Sequence, residues 1–178
     1  MDRRAILAAG AIAMAATPVF AQSDNRANAR TSALGDAEKT HAEKTATIGT
    51  ASLAMANLAL EKSHGEKVRE FAKFEKDEQI TVAGILKTMD PSLSPSNPPQ
   101  DVAKAIDKLR NMQGGESFDR EFVSAQIDGH EMLRSIQLDY LKEGKDQGTV
   151  NATKLVLGMI NEHLTLLSDL KSSQESDL

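Results

Sequence analysis

The sequence predicts an all-α fold: four long helices packed as a bundle, with a long crossover that carries a short extra helix. Apolar residues recur at spacings of three and four from position 33 to about 170, the helical period. No Val/Ile/Thr-rich segment alternates with a period of two, so nothing argues for strands. Two of the breaks between helical stretches are short and glycine-containing, whereas the middle one is long and rich in proline.

In chain order, Met1-Asp2-Arg3-Arg4 is a short basic start and Ala5 to Ala16 is Ala-rich and uncharged. With Val19-Phe20-Ala21 ahead of Gln22, this is the pattern of a cleavable signal peptide ending at Ala21. Twelve helical residues rise about 18 Å, short of the roughly 30 Å hydrocarbon layer, so the segment is a poor permanent anchor. No later run is long enough to span a membrane. Arg3-Arg4 leaves twin-arginine and general secretory export both open, and the expected location is the periplasm. Residues 22–32 are a polar, flexible lead-in, 33–171 the helical domain and 172–178 a polar disordered tail.

The first helix carries Leu34, Ala37, His41, Thr45, Ile48, Ser52, Met55 and Ala59 on one seam and ends near His64-Gly65, where Gly65 suits a left-handed cap. The second turns back with Phe71, Phe74, Val82, Ile85 and Met89 as its apolar stripe. Asp90 to Pro99 cannot continue a helix. Asp101 caps a short helix through Val102, Ala105, Ile106 and Leu109, which Gly114-Gly115 stops. Ser117 opens a third long helix with Phe118, Phe122, Ala125, Ile127, Leu133, Ile136 and Tyr140. Gly144 and Gly148 bracket a turn into the fourth, with Val150, Leu155, Val156, Met159, Ile160, Leu164, Leu167 and Leu170. Two short turns and one crossover make the arrangement ferritin-like. The second and third long helices then run parallel, and the pairs Phe71/Phe74 and Phe118/Phe122 pack at one end.

Composition excludes several functions. Of 21 basic and 26 acidic residues, Arg3, Arg4 and Asp2 precede the cleavage point, which leaves 19 against 25 and a net charge of −6. That charge and an aromatic content of 3% disfavour nucleic acid and anionic lipid as partners. The absence of cysteine removes disulfides, thiol chemistry and thiolate metal sites.

The informative positions are polar residues on apolar stripes. In the second helix Phe71, Glu75, Glu78, Val82, Ile85 and Met89 share a seam, which sets two carboxylates where apolar residues are expected. His163 lies among Met159, Ile160, Leu166 and Leu167, and His130 has Ile127 and Leu133 at i−3 and i+3. At about 1.5 Å per residue, Glu75, Glu78, His130 and His163 fall at heights of roughly 12 to 20 Å from one end. Two carboxylates and two imidazoles from three helices are a ligand set for a divalent metal such as iron or zinc. The same residues also make a buried polar network, each glutamate bonded to a histidine, with no cofactor at all, and buried polar residues are more often satisfied in this way than metallated. Acid/base chemistry is a more distant reading, since no nucleophile or oxyanion donors accompany them. Ser52 or Met55 of the first helix lies at that level without offering a hard ligand. His41 and His64 read as surface or helix-end residues.

Leu58-Ala59-Leu60-Glu61-Lys62-Ser63 through Val68-Arg69-Glu70-Phe71-Ala72, Gly115-Glu116-Ser117-Phe118-Asp119-Arg120-Glu121-Phe122 to Gln126 and His130, and Glu162-His163-Leu164 carry a resemblance. From about Thr47 to Leu170 the chain resembles the bacterial family called domain of unknown function 4142. The resemblance implies a ferritin-like bundle, an exported location and a label of outer-membrane protein. It also implies that many relatives have Glu at the position of Ser52 and Asp-His at Glu78-Gln79, while His130 and His163 are retained. A mononuclear or purely structural site follows better than a dinuclear one. The expected function is that of a non-enzymatic periplasmic binding or envelope-stress protein, its protein partner or oligomer unspecified. The alternative is a divalent metal-binding protein using Glu75, Glu78, His130 and His163.

Overall fold

The computed structural model describes residues 34–176, so the expected signal peptide at 1–21 and lead-in at 22–32 lie outside the described residues. Those residues are all-helical, without a strand: α1 (Asp36–Lys62), α2 (Glu66–Met89), α3 (Gln100–Asn111), α4 (Glu116–Glu143) and α5 (Gln147–Ser176). No described helix is long and apolar enough to cross a membrane. α5 runs on to Ser176, past the point at which its polar composition suggests an end.

α1 is the helix around which the others assemble, in contact with α2, α3 and α4. Its buried residues include Ala42, Ala46, Gly49, Ala51, Ser52, Ala56 and Ala59, and side chains this small let three neighbours approach it closely. α4 also packs on α5, and α2 meets α5 along a looser seam. The main core joins Met55, Phe71, Leu109, Phe118, Phe122, Leu133, Ile160 and Leu167. Full burial of side chains of this size contributes roughly 1.5–3 kcal/mol each. α2 and α4 run in the same direction: the Gly65 N–H at the start of α2 donates to Asp119 Oδ2 in the first turn of α4 at 2.8 Å.

The structure corrects several expected positions. Gly65 has φ −73°, so it is an extended residue preceding α2 and not a left-handed cap. Asp101 makes no cap hydrogen bond, because α3 begins at Gln100, after Pro99, and Asp101 lies inside its first turn. Phe71 meets Phe122 edge-on at 6.2 Å, but Phe74 is half exposed. On α2 the buried line continues from Val82 to Leu86, with Ile85 turned to solvent. α2 packs chiefly on α1, which selects a face slightly rotated from the one that would serve α1 and α5 equally. Leu155 is likewise exposed, since α5 buries only the line Thr149, Thr153, Ile160, His163 and Leu167.

The crossover is fastened at both ends. Leu93 is buried against Val82 and Leu86. At the far end the Lys62 ammonium donates to the main-chain carbonyls of Leu109 (3.3 Å), Met112 (3.0 Å) and Arg110, which the end of α3 leaves unpaired. A Cβ on Gly114 would stand 2.2 Å from the Lys62 carbonyl oxygen, and Gly115 has φ +121°. Both positions therefore require glycine.

At the end where α1 begins, a polar layer is buried. Glu38 Oε1 accepts from Tyr140 O–H (3.0 Å) and from the N–H groups of Lys145 (3.2 Å) and Asp146 (3.3 Å) in the α4–α5 turn. His41 is 6% exposed, stacks on Tyr140 with ring centroids 4.3 Å apart, and its Nε2 donates to Gln137 Oε1 at 2.8 Å. Its expected place on the surface is thus corrected: it lies on the inner seam, four residues before Thr45. His64 is exposed, as expected.

The Lys145 N–H, foremost among the donors around it, holds the Glu38 carboxyl down at about 2, against an ordinary 4.5. A depressed folded value means that the carboxylate stabilises the fold above about pH 4.5, and that this stabilisation disappears as the pH falls toward 2. Glu38→Gln should therefore cost about 1 kcal/mol at neutral pH. The gap between the two proteins should close on acidification, as read by urea unfolding at a series of pH values.

Candidate functional site

Midway along the helices, α2 contributes Glu75, α4 His130 and α5 His163 to one buried group, with exposures of 0%, 1% and 5%. Glu75 Oε2 lies 3.0 Å from His163 Nδ1 and 3.3 Å from His130 Nε2, and the two nitrogens are 3.1 Å apart. These three atoms form a nearly equilateral triangle.

What surrounds the triangle fixes its protons. His130 Nδ1 donates to the Gln126 main-chain carbonyl at 2.7 Å; a carbonyl only accepts, so Nδ1 carries the proton and a neutral His130 presents a bare Nε2 to the triangle. His163 Nε2 faces Glu78 Oε2 at 3.0 Å, and with its proton there the Nδ1 of a neutral His163 is bare too. Ser52 Oγ stands 2.6 Å from Glu75 Oε1 and equally 2.6 Å from Gln126 Oε1, so its single proton serves one acceptor at a time. The Gln126 amide donates to the Ser52 carbonyl at 3.3 Å. Glu75 Oε2, fully buried, receives no directed hydrogen bond. Three lone-pair atoms therefore converge with nothing positive among them, a costly arrangement unless a proton or a metal cation lies between.

Separations of 3.0 to 3.3 Å are those between ligand atoms around one ion. With metal–nitrogen distances of about 2.0–2.1 Å, tetrahedral ligands stand about 3.3 Å apart. A point about 2 Å from all three atoms exists roughly 1 Å out of their plane. Two imidazoles and one carboxylate also form the three-ligand face used by divalent first-row metals. Phe71 closes the site, its ring 5.1 Å from His163 and 6.1 Å from His130.

Of the four residues singled out in the sequence, the fold brings Glu75, His130 and His163 together. Glu78 is set apart: it reaches the outer nitrogen of His163 and not the convergence point, and its side chain is one-third exposed. Its place is that of an orienting carboxylate behind a histidine. Sequence reasoning missed Gln126, and it noted Ser52 only as a non-ligand at the right height. The signal for Gln126 is its position four residues before His130 on the α4 seam.

Electrostatics follow the geometry. Burial alone would raise Glu75, but the imidazoles of His130 and His163, with the Ser52 hydroxyl, hold it well below the usual carboxylate range. Burial would lower His163, but the Glu75 and Glu78 carboxylates raise it above 6.5. Burial pushes Glu78 up, opposed by His163.

The described residues thus form an all-helical domain with a buried carboxylate–bis-imidazole cluster between its helices. Residues 23–170 match the family model described as Domain of unknown function (DUF4142), and the chain belongs to that family. No curated protein and no solved structure matches it.

Without metal, a raised His163 stabilises the fold below about pH 6.5 and loses that effect as the pH climbs through its folded value. A depressed Glu75 stabilises above about 4.5 and loses its effect on acidification. The pair is therefore at full strength between about 4.5 and 6.5. Glu75→Gln should lower the His163 titration midpoint, followed by imidazole proton NMR of the metal-free protein. Its stability deficit against the native chain should be largest in that window.

Proposed function

We propose that the protein is an exported, non-enzymatic, ferritin-like four-helix bundle that binds one divalent transition metal ion through Glu75, His130 and His163. The observation that carries this reading is the orphaned Glu75 Oε2, buried and facing two imidazole nitrogens at ion-coordinating separations. The outer shell supports it. Metal-binding histidines hand their second N–H to a carbonyl or a carboxylate, as His130 does to Gln126 and His163 to Glu78. Three protein ligands make a mononuclear site; Ser52, which α1 brings to the same level, only hydrogen-bonds. The signal-like segment at 1–21 and the net negative charge support export to the periplasm and argue against nucleic acid as a partner.

Calorimetric titration of the metal-free protein with cobalt(II) or zinc(II) should give one ion per chain. At a free-metal concentration 100-fold above Kd, binding to the folded state adds about 2.7 kcal/mol, or roughly 5–10 °C in Tm. His163→Ala and Glu75→Gln should each weaken the affinity at least about tenfold, an effect already seen for the loss of outer-shell partners. Glu78→Gln should weaken it less than either. Substoichiometric metal that His163→Ala leaves unchanged would return the cluster to a proton-filled structural network.

A further inference from the structure

Beside the cluster lies a cavity that the metal reading does not use. It borders His130 and His163 and is walled by apolar side chains, Val82 and Leu133 among them, with Thr45 as a polar point and Glu78 at its edge. Its volume is about 10 Å³, close to what a single water molecule occupies. Metal sites with a structural role are closed by four protein ligands, whereas sites with three protein ligands keep a position for a small exogenous molecule. Here the protein supplies three ligands, and the small empty space adjoins two of them.

A chain of donors points the same way. His41 Nε2 donates to Gln137 Oε1 at 2.8 Å, and Gln137 Nε2 donates to Thr45 Oγ1 at 3.0 Å. Thr45 is 3% exposed and lines the cavity; having accepted from Gln137, its hydroxyl keeps its own proton to give. Each bond runs in the same sense, from His41 inward, so the end of the chain offers a donor. A molecule in the cavity would lie between the two histidines and Thr45, with apolar walls elsewhere.

We propose that the Glu75/His130/His163 centre is an open metal site whose exogenous ligand is a hydrogen-bond acceptor of one or two heavy atoms, held in this cavity and oriented by Thr45. The proposal rests on the metal reading above. Water is the resident ligand, and larger bases are excluded by Val82 and Leu133.

The test uses cobalt(II)-loaded full-length protein, with cyanide as the small probe, imidazole as the large one, and metal content measured after each addition. Cyanide should shift the visible cobalt bands saturably with the cobalt retained, and imidazole should leave the native spectrum unchanged. Leu133→Ala, or Val82→Ala as an independent second variant, should let imidazole in, with an apparent affinity at least tenfold above that of the native protein. Thr45→Val should weaken cyanide several-fold and alter the band positions of its complex while cobalt affinity stays the same. A cobalt protein whose spectrum ignores cyanide, or a native protein that takes imidazole as readily as the Leu133 variant, overturns the open site while leaving metal binding intact. Failure to bind cobalt at all sinks the metal reading, and this inference with it.

Discussion

A carboxylate with no exposed surface is expensive to keep, and the middle of this fold is organised around one. Desolvating an ion costs several kcal/mol unless partners return what water gave, and Glu75 finds its partners on every other long helix: Ser52 on α1, His130 on α4 and His163 on α5. The Ser52 hydrogen bond and the two imidazole contacts hold the relative height and rotation of the four elements, because polar contacts tolerate less displacement than a contact between methyl groups. The seam between α2 and α5 shows the dependence. The two helices meet loosely, Phe74 and Leu166 are about half exposed, and the polar contacts across the seam are those of His163 with Glu75 and Glu78. Removing the carboxylate would loosen α5 where packing holds it least.

The helices themselves were legible in the sequence because the 3.6-residue period is strong and the breaks carry Gly and Pro. Glu75, His130 and His163 were legible for a related reason: a polar residue on an apolar stripe must be satisfied by something inside. Their heights came out right because rise per residue is nearly constant. Glu78 shows what height alone leaves undetermined. It is one turn from Glu75 and at the level of His163, but its direction around the helix axis takes it to the outer side of the imidazole. Azimuth depends on how each helix is rotated against its neighbours, and small residues on α1 set that rotation. The same cause moved Ile85 and Phe74 outward and put Leu86 in the core.

The second polar layer was harder to see, although its residues obey the same spacing. Glu38, His41, Thr45 and Ser52 descend one seam of α1, and Gln126, His130, Gln137 and Tyr140 descend the facing seam of α4, interrupted only by Ile48 and Leu133. Read singly, His41 looks like a residue near a helix end. Read as facing seams, the two series predict a ladder of polar contacts through the protein, which the structure contains from Tyr140–Glu38 through His41–Gln137 and Gln137–Thr45 to Gln126–Ser52.

That ladder contains one buried glutamate, Glu38, and touches a second, Glu75 of α2, through Ser52; the two are met differently. Glu38 sits where the α4–α5 turn aims two N–H groups and Tyr140 aims its hydroxyl at one carboxylate oxygen, so its charge is met by donors and needs no cation. This is how the fold builds a purely structural carboxylate. Glu75 is built otherwise. Only its Oε1 is given a hydroxyl, while Oε2 is turned toward two imidazoles whose outer nitrogens face Gln126 in one case and Glu78 in the other. Were the cluster meant only to fix helix register, an amide in place of either histidine would satisfy Oε2 with a directed N–H and without a titratable group, as Gln137 does one layer away. The arrangement instead orients each imidazole by its outer nitrogen and turns the inner one to Oε2, where a proton or a cation completes the cluster.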